Sequence, residues 1–262
     1  MRVYIRGGIG DFLQTVPFAM THLDREYYVH THFGKAKEFF NEFGVENVKV
    51  YNFETIADHD SQTDEILSCA SPEEKNPFEV CPRFFYNNLI FKNENTQIAE
   101  HLVNSFKEKR KIIGIHPFGS QFAANVYSSF NLPQKFIPLS IVNEIISEDF
   151  NYLIFGSGKE LSNYGLKERD NVKFCSFDNI IDSLACVQYC FKFLGTDSCY
   201  KTESSMRKIP TFCIVGDFED HTRDITFINQ YVHDGIMKIF KFKDISQQSS
   251  EVVAFFKEAL SQ

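Results

Sequence analysis

Tryptophan is absent from the chain, and its aromatic content falls on 29 Phe and 11 Tyr, which implies an aromatic-rich core and says nothing of function. No apolar run approaches the roughly 18 uninterrupted residues of a membrane helix. The N-terminus passes directly into a strand-like pattern, with neither the basic nor the apolar region of a signal peptide, so a cytoplasmic protein without a membrane span is expected. Cys-x-x-Cys pairs are also missing. The seven cysteines (Cys69, Cys81, Cys175, Cys186, Cys190, Cys199 and Cys213) are odd in number and mostly lie in apolar segments, as reduced, buried thiols do. Cys186 and Cys190 stand four apart on a predicted helix, but no second pair with zinc-like spacing follows. Positive charge is in deficit: 27 Lys and Arg face 35 Asp and Glu, a net charge of −8, which argues against a general nucleic-acid binder.

What the chain does have is an ordinary globular composition, 43% hydrophobic and 24% charged over 262 residues, enough for two modest domains or one large one. Apolar periodicity predicts strands at Val3–Ile5, Tyr27–His30 and Val48–Tyr51, separated by helices over Phe12–Leu23 and Lys35–Phe43. The pattern weakens from Asp58 to Pro82, and Pro82–Phe91 and Thr96–Phe106 then read as helices. The polar run Lys107–Lys111 is the best linker, which sets expected domains at 1–109 and 110–262. A second alternation follows, with strands at Ile112–His116, Tyr152–Phe155, Val172–Cys175, Phe191–Leu194 and Thr211–Val215. Helices are expected over Ile137–Ile146, with Pro138 in its first turn, and over Asn179–Tyr189, Glu203–Lys208 and the amphipathic Ser249–Leu260. Two runs of this kind predict two doubly wound α/β domains, whose ligands sit beyond the carboxyl ends of the strands.

Five loops stand at those ends: "RGGIGDFLQT", "HPFGSQF", "GSGKE", "GTDSCYKTESS" and "GDFEDHTRD". Each has a glycine at a tight turn with Ser, Thr or Asp close by, the makings of an anion site at a helix start. Taken singly, each is equally what a βα turn and a helix cap require. "GGIGD" fits neither the GxGxxG dinucleotide fingerprint nor the GK[ST] phosphate loop. Its distinguishing residue is Asp11, at the mouth of the first helix, where the helix dipole favours the ionised carboxylate that a general base needs. His116, in an apolar strand end, reads as a satisfied near-core histidine. Asp58 and Asp60 have the spacing of a metal-binding DxD pair but lie in what reads as a solvated acidic loop. Lys159 and Glu160 read as surface residues.

Gly10-Asp11-Phe12-Leu13-Gln14-Thr15-Val16-Pro17 resembles the "GD-x-L-x-T-x-P" start of glycosyltransferase family 9, the ADP-heptose:lipopolysaccharide heptosyltransferases. The likeness continues in order through "IIGIHPFGS", "YLIFGSGKE", the stretch "IIDSLACVQYCFKFLGTDSCYKTESSMRKIPTFCIVGD" and "GDFEDHTRD", and is weak between about Asn52 and Lys109. The resemblance implies two facing Rossmann-like domains in a glycosyltransferase B-type fold. It also implies an inverting, metal-independent transferase that uses a nucleotide-diphosphate sugar as co-substrate and no other cofactor. By the same resemblance Asp11 is the catalytic base, and Gly8 and Gly10 belong to its acceptor-side loop. The donor-binding residues are Gly119, Ser120, Gly156, Ser157, Asp197 in the Gly195-x-Asp197 motif, Ser198 and Asp217.

Two positions depart from the family. Thr202 stands where a histidine is expected, and no lysine precedes Leu132-Pro133 where the family places one against the donor phosphates. Lys201 could supply that charge, since lysine serves phosphate as a point charge. The expected acceptor is a saccharide. Two alternatives remain open: a hydroxymethylated DNA base, for which Arg83 and Lys107–Lys111 would provide a basic patch, and a non-catalytic nucleotide- or sugar-phosphate-binding protein on an eroded transferase fold.

Overall fold

A computed structural model describes residues 2–51, 65–68, 86, 89–119, 135–216 and 231–262, without the side chains of Arg6 and 65–68. Contacts divide it into two compact units that meet in sequence between Lys92 and Asn93. The first contains β1 (Arg2–Arg6), α1 (Ile9–Thr21), β2 (Glu26–His30), α2 (Ala36–Glu42), β3 (Val48–Tyr51) and β4 (Glu65–Ser68). Its strands form one parallel sheet in the order β3-β2-β1-β4. Val3, Ile5, Tyr27 and Val29 are fully buried, and Tyr27 donates its hydroxyl to the His22 carbonyl just past the end of α1 at 2.9 Å. Phe12 of α1 meets the rings of Phe39 and Phe40 on α2, so the two helices close over one core.

The second unit contains α3 (Asn93–Asn104), β5 (Ile112–His116), α4 (Leu139–Ile145), β6 (Asn151–Phe155), α5 (Gly158–Tyr164), β7 (Val172–Cys175) and α6 (Ile180–Val187). Then come β8 (Lys192–Thr196), α7 (Cys199–Met206), β9 (Thr211–Gly216), β10 (Met237–Phe242) and α8 (Ser249–Ser261). Its six strands are parallel in the order β10-β9-β8-β5-β6-β7. Numbered within the unit this is 3-2-1-4-5-6, the winding of a dinucleotide-binding domain, and the first unit follows its opening 3-2-1-4. β5, β6 and β8 are buried along their whole lengths, as parallel strands with covered faces are. Ile113, Ile115, Tyr152, Ile154, Leu194 and Ile214 pack with Ile141 and Val142 of α4 and Val252 and Phe256 of α8. Each such side chain contributes about 1.5–3 kcal/mol by leaving water.

The unit boundary falls earlier than the polar run had indicated. α3, expected on the N-terminal side, packs on α6, where Asn95 donates to the buried Asp182 carboxylate at 2.8 Å. The run itself is docked on the second unit: Lys107 pairs with Asp170, Arg110 with Glu108 and Glu148, and Asn151 donates to the Glu108 carbonyl.

Two elements were not anticipated, β4, in the weakly patterned acidic region, and β10, and α5 was expected only as a helix start at Lys159 and Glu160. Most of the expected helix Pro82–Phe91 lies outside the described residues, and its described end, Leu89 to Phe91, is not helical. α7 starts four residues before its expected first residue, because a polar helix gives no amphipathic signal. Tyr200 through Met206 are all buried. Most of their polarity is met within the unit: the Ser204 and Ser205 hydroxyls each donate to the Lys201 carbonyl at 2.9 Å, Ser204 also meets Thr211 Oγ1 at 2.8 Å, and Glu203 pairs with Arg207 through Oε1 while its Oε2 has no partner. At the sheet edge, Phe174 of β7 donates its N–H to Glu168 at 2.8 Å, and Val172 exchanges both backbone hydrogen bonds with Arg169 at 3.0 Å.

Candidate functional site

Doubly wound sheets bind ligands where adjacent strands lead their crossovers to opposite faces. Those positions are the carboxyl ends of β1 and β4 in the first unit and of β5 and β8 in the second.

At the end of β1 the chain turns through Gly7, whose φ of +147° suits glycine, and enters α1 with Gly8 as N-cap. Asp11 is the third helical residue. Its carboxylate folds back over the turn and accepts the Gly8 N–H at 2.7 Å. A Cβ on Gly7 would collide with that carboxylate, so the glycine is needed to admit the aspartate. Asp11 is half-buried, as is Gly10, and Gly8 is exposed. The helix N-terminus stabilises the charged form of this carboxylate. The arrangement presents a fixed, partly accessible anion at the switch point of the first sheet.

The second switch point is built from opposite charges. β8 ends at Thr196, and the next residue, Asp197, directs one carboxylate oxygen to Lys201 Nζ at 2.6 Å and the other to Lys135 Nζ at 2.9 Å. Ser198 caps α7, its hydroxyl accepting the Lys201 N–H at 3.3 Å, so the helix start fixes Lys201 four residues beyond the aspartate. Lys201 is buried and Asp197 and Lys135 are about a quarter exposed. Burial alone would raise the Asp197 carboxyl, but the Lys135 and Lys201 ammonium groups outweigh it and hold it well below the usual carboxylate range.

Lys135 reaches this place through the loop after β5. Phe118 and Phe136 form an antiparallel bridge, and Gly119 donates to the Lys135 carbonyl at 2.5 Å. A Cβ on Gly119 would collide with the Lys135 side chain. The glycine assigned to phosphate therefore admits a lysine that the sequence reading passed over, sixteen residues away and beyond Pro133. The only signal available was the apolar Phe136-Ile137 after a proline, the pattern of a returning strand.

His116, the last residue of β5, is buried, with its ring against Tyr200 at 4.6 Å and Phe118 at 5.9 Å. It is not the satisfied histidine expected, because Nδ1 has no hydrogen-bond partner. Burial pushes its pKa down to about 3, so the ring is neutral. Thr196 Oγ1, buried at the end of the neighbouring strand β8, is a second polar atom without a partner.

The other expected donor residues are engaged locally or fall elsewhere. Gly156 is buried, and a Cβ there would press on the Phe118 ring. Ser157 is exposed and caps α5, exchanging hydrogen bonds with Glu160 at 2.7 and 3.3 Å, which gives Glu160 a structural role. Thr202, in the histidine's place, bonds back to the Ser198 carbonyl. Ser120, Asp217, Cys69, Cys81, Asp58, Asp60 and Arg83 lie outside the described residues. Cys175, Cys186, Cys190 and Cys213 are free and buried, and Cys199 is free and half-buried. Among the described residues no group of three or more His, Cys, Asp or Glu is placed to hold a metal, and no helix is long and apolar enough to cross a membrane. Lys107 and Arg110, expected in a basic patch, are both ion-paired.

Two successive parallel sheets of this winding, each with charged residues at its switch point, define the class: an α/β protein of glycosyltransferase B-type architecture. The chain is similar in structure to the glycosyl transferase family 9 from Veillonella parvula DSM 2008, with a TM-score of 0.60, 11% identity and 99% of this chain and 95% of that one covered. It is likewise similar to E. coli ADP-heptose lps heptosyltransferase II, with a TM-score of 0.56, 11% identity and both chains covered in full. The E. coli heptosyltransferase WaaC with ADP aligns at a TM-score of 0.53 and 11% identity over 99% of each chain. At this identity the likeness is one of fold. No family model matches the sequence, and no curated protein matches it.

Proposed function

We propose that the protein is an inverting glycosyltransferase, acting without a metal, that moves a sugar from a nucleotide diphosphate to the hydroxyl of a saccharide acceptor. The observation that carries this reading is the fold shared with heptosyltransferases along the whole chain, combined with a carboxylate at the first sheet's switch point and two lysines at the second's. Asp11 is the base. It takes the proton of the acceptor hydroxyl as that oxygen bonds to the anomeric carbon from the face opposite the leaving group. The bond from that carbon to the diphosphate oxygen breaks, and the departing electron pair becomes charge on the diphosphate. Gly8 orients the Asp11 carboxylate for this step. Lys201 and the cap of α7 stabilise the leaving charge, which supports a mechanism in which ammonium groups do what a divalent cation does in other transferases. Gly119, Ser120, Ser198 and Asp217 complete the donor side in this reading.

Thermal-shift measurements with UDP, ADP, GDP and CDP and their sugars test the donor site, because a ligand of the native state raises the melting temperature by mass action. At least one nucleotide diphosphate should stabilise the protein, and its sugar conjugate should then be turned over. Failure of all four nucleotides overturns the reading. Binding without turnover, with wild type and Asp11→Asn behaving alike, would identify a binding protein on a transferase fold.

A further inference from the structure

Lys201 and Lys135 place two ammonium groups on the two oxygens of one carboxylate, at 2.6 and 2.9 Å. Lysines this poorly hydrated need a counter-charge, since two ammonium groups on one spot repel and a buried charge without a partner is strongly disfavoured. Asp197 supplies negative charge to both lysines at once. A phosphoryl group offers the same geometry, two oxygens on one atom, with more negative charge than a carboxylate. At the ends of the two strands that define the switch point, buried His116 Nδ1 and Thr196 Oγ1 have no hydrogen-bond partner.

We infer that Lys135 and Lys201 form an anion clamp whose resting occupant is Asp197, and that the phosphoryl groups of a diphosphate displace this carboxylate on binding. Asp197 is then a positioning residue: it holds the two lysines in place when the clamp is empty, and it competes with the ligand. Lys135, carried to the site by the Phe118–Phe136 bridge and admitted by Gly119, is its second arm. The inference deepens the donor-site reading, since the clamp would hold the donor's diphosphate, but its geometry does not depend on any transfer reaction.

Calorimetric titration of the full chain with inorganic pyrophosphate tests it. Asp197→Asn, close in shape and uncharged, should bind pyrophosphate about tenfold more tightly than wild type. Lys135→Met and Lys201→Met should each bind about tenfold more weakly, and Lys135→Arg should recover most of the loss. A direct ligand-binding role for Asp197 makes the opposite prediction, weaker binding in Asp197→Asn, and that result overturns the inference. Equal binding by wild type and both Lys→Met variants, or no binding by any of them, also overturns it. Melting curves identify a variant that fails to fold, and Lys135→Arg then reports in place of Lys135→Met. The expected pyrophosphate pattern without transfer from any nucleotide sugar would support the clamp and sink the transferase reading. Transfer with lysine-independent pyrophosphate binding would do the reverse.

Discussion

At the end of β1 the chain sets a carboxylate, Asp11, against a backbone N–H 2.7 Å away, whereas at the end of β8 it sets a carboxylate, Asp197, between two ammonium groups. The two sheets share a winding, so the difference comes from what the loops deliver. An aspartate held by lysines well below the carboxylate range is a poor proton acceptor. Asp11, half-buried beside an exposed N-cap, keeps the access that a base requires. One winding thus provides a candidate base and a candidate anion site, and lysine supply decides which is which.

The sharpest way to break this comparison is to exchange the two carboxylates' chemistry. Asp11→Asn keeps an oxygen for the Gly8 N–H and removes the basicity. Turnover of an accepted donor should fall by about 10²–10⁴-fold, the usual contribution of a general base, with stability changed by no more than about 1 kcal/mol. A steady-state assay paired with urea unfolding checks both.

Asp197→Ala should have the largest effect on stability, about 3 kcal/mol, because it removes the carboxylate that both lysines contact. The folded-state pKa of Asp197 lies below its unfolded value, so this stabilisation is complete above about pH 4 and fades as the pH falls further. The gap between wild type and variant in urea midpoints should therefore be constant above about pH 5 and narrow under stronger acid.

His116 probes the same rim by a different route. Its folded-state pKa is about 3 against about 6.5 unfolded. The unfolded chain therefore binds the extra proton between those values, and stability declines as the pH falls through that window. The histidine's share of the loss from pH 7.5 to pH 5 is about 2 kcal/mol. His116→Phe should flatten that slope, measured by unfolding at the two pH values. The smallest effect on stability belongs to Ser157→Ala, which removes an exposed cap and costs about 1 kcal/mol, measured by urea unfolding.

Much of the winding was legible because parallel strands buried on both faces appear as short apolar runs: Ile112–His116 and Val172–Cys175 match their predicted limits to the residue. Elements whose burial does not follow apolar composition were missed or misplaced. α7 is a buried helix written in Lys, Thr, Glu and Ser, and its hydrogen bond to Thr211 forms only once the helix packs on the sheet. β10 has its apolar run broken by Lys238 and Lys241, and β4 begins at the end of an acidic run. At the sites, Asp11 and Asp197 could be named from local motifs because each follows a strand and starts a helix. Lys135 could not, since a bridge between residues 18 apart brings it in. The unit boundary was misjudged for a related reason: α3 belongs to the second unit by a buried Asn95–Asp182 contact that no run of composition reveals.

The outer edge of the second sheet is closed by the chain's own loop. A free strand edge is a template on which another chain can add a strand and continue the sheet. At β7, a newcomer would have to break both hydrogen bonds between Val172 and Arg169 and strip the Phe174 N–H from the Glu168 carboxylate. On that side the chain terminates its own sheet.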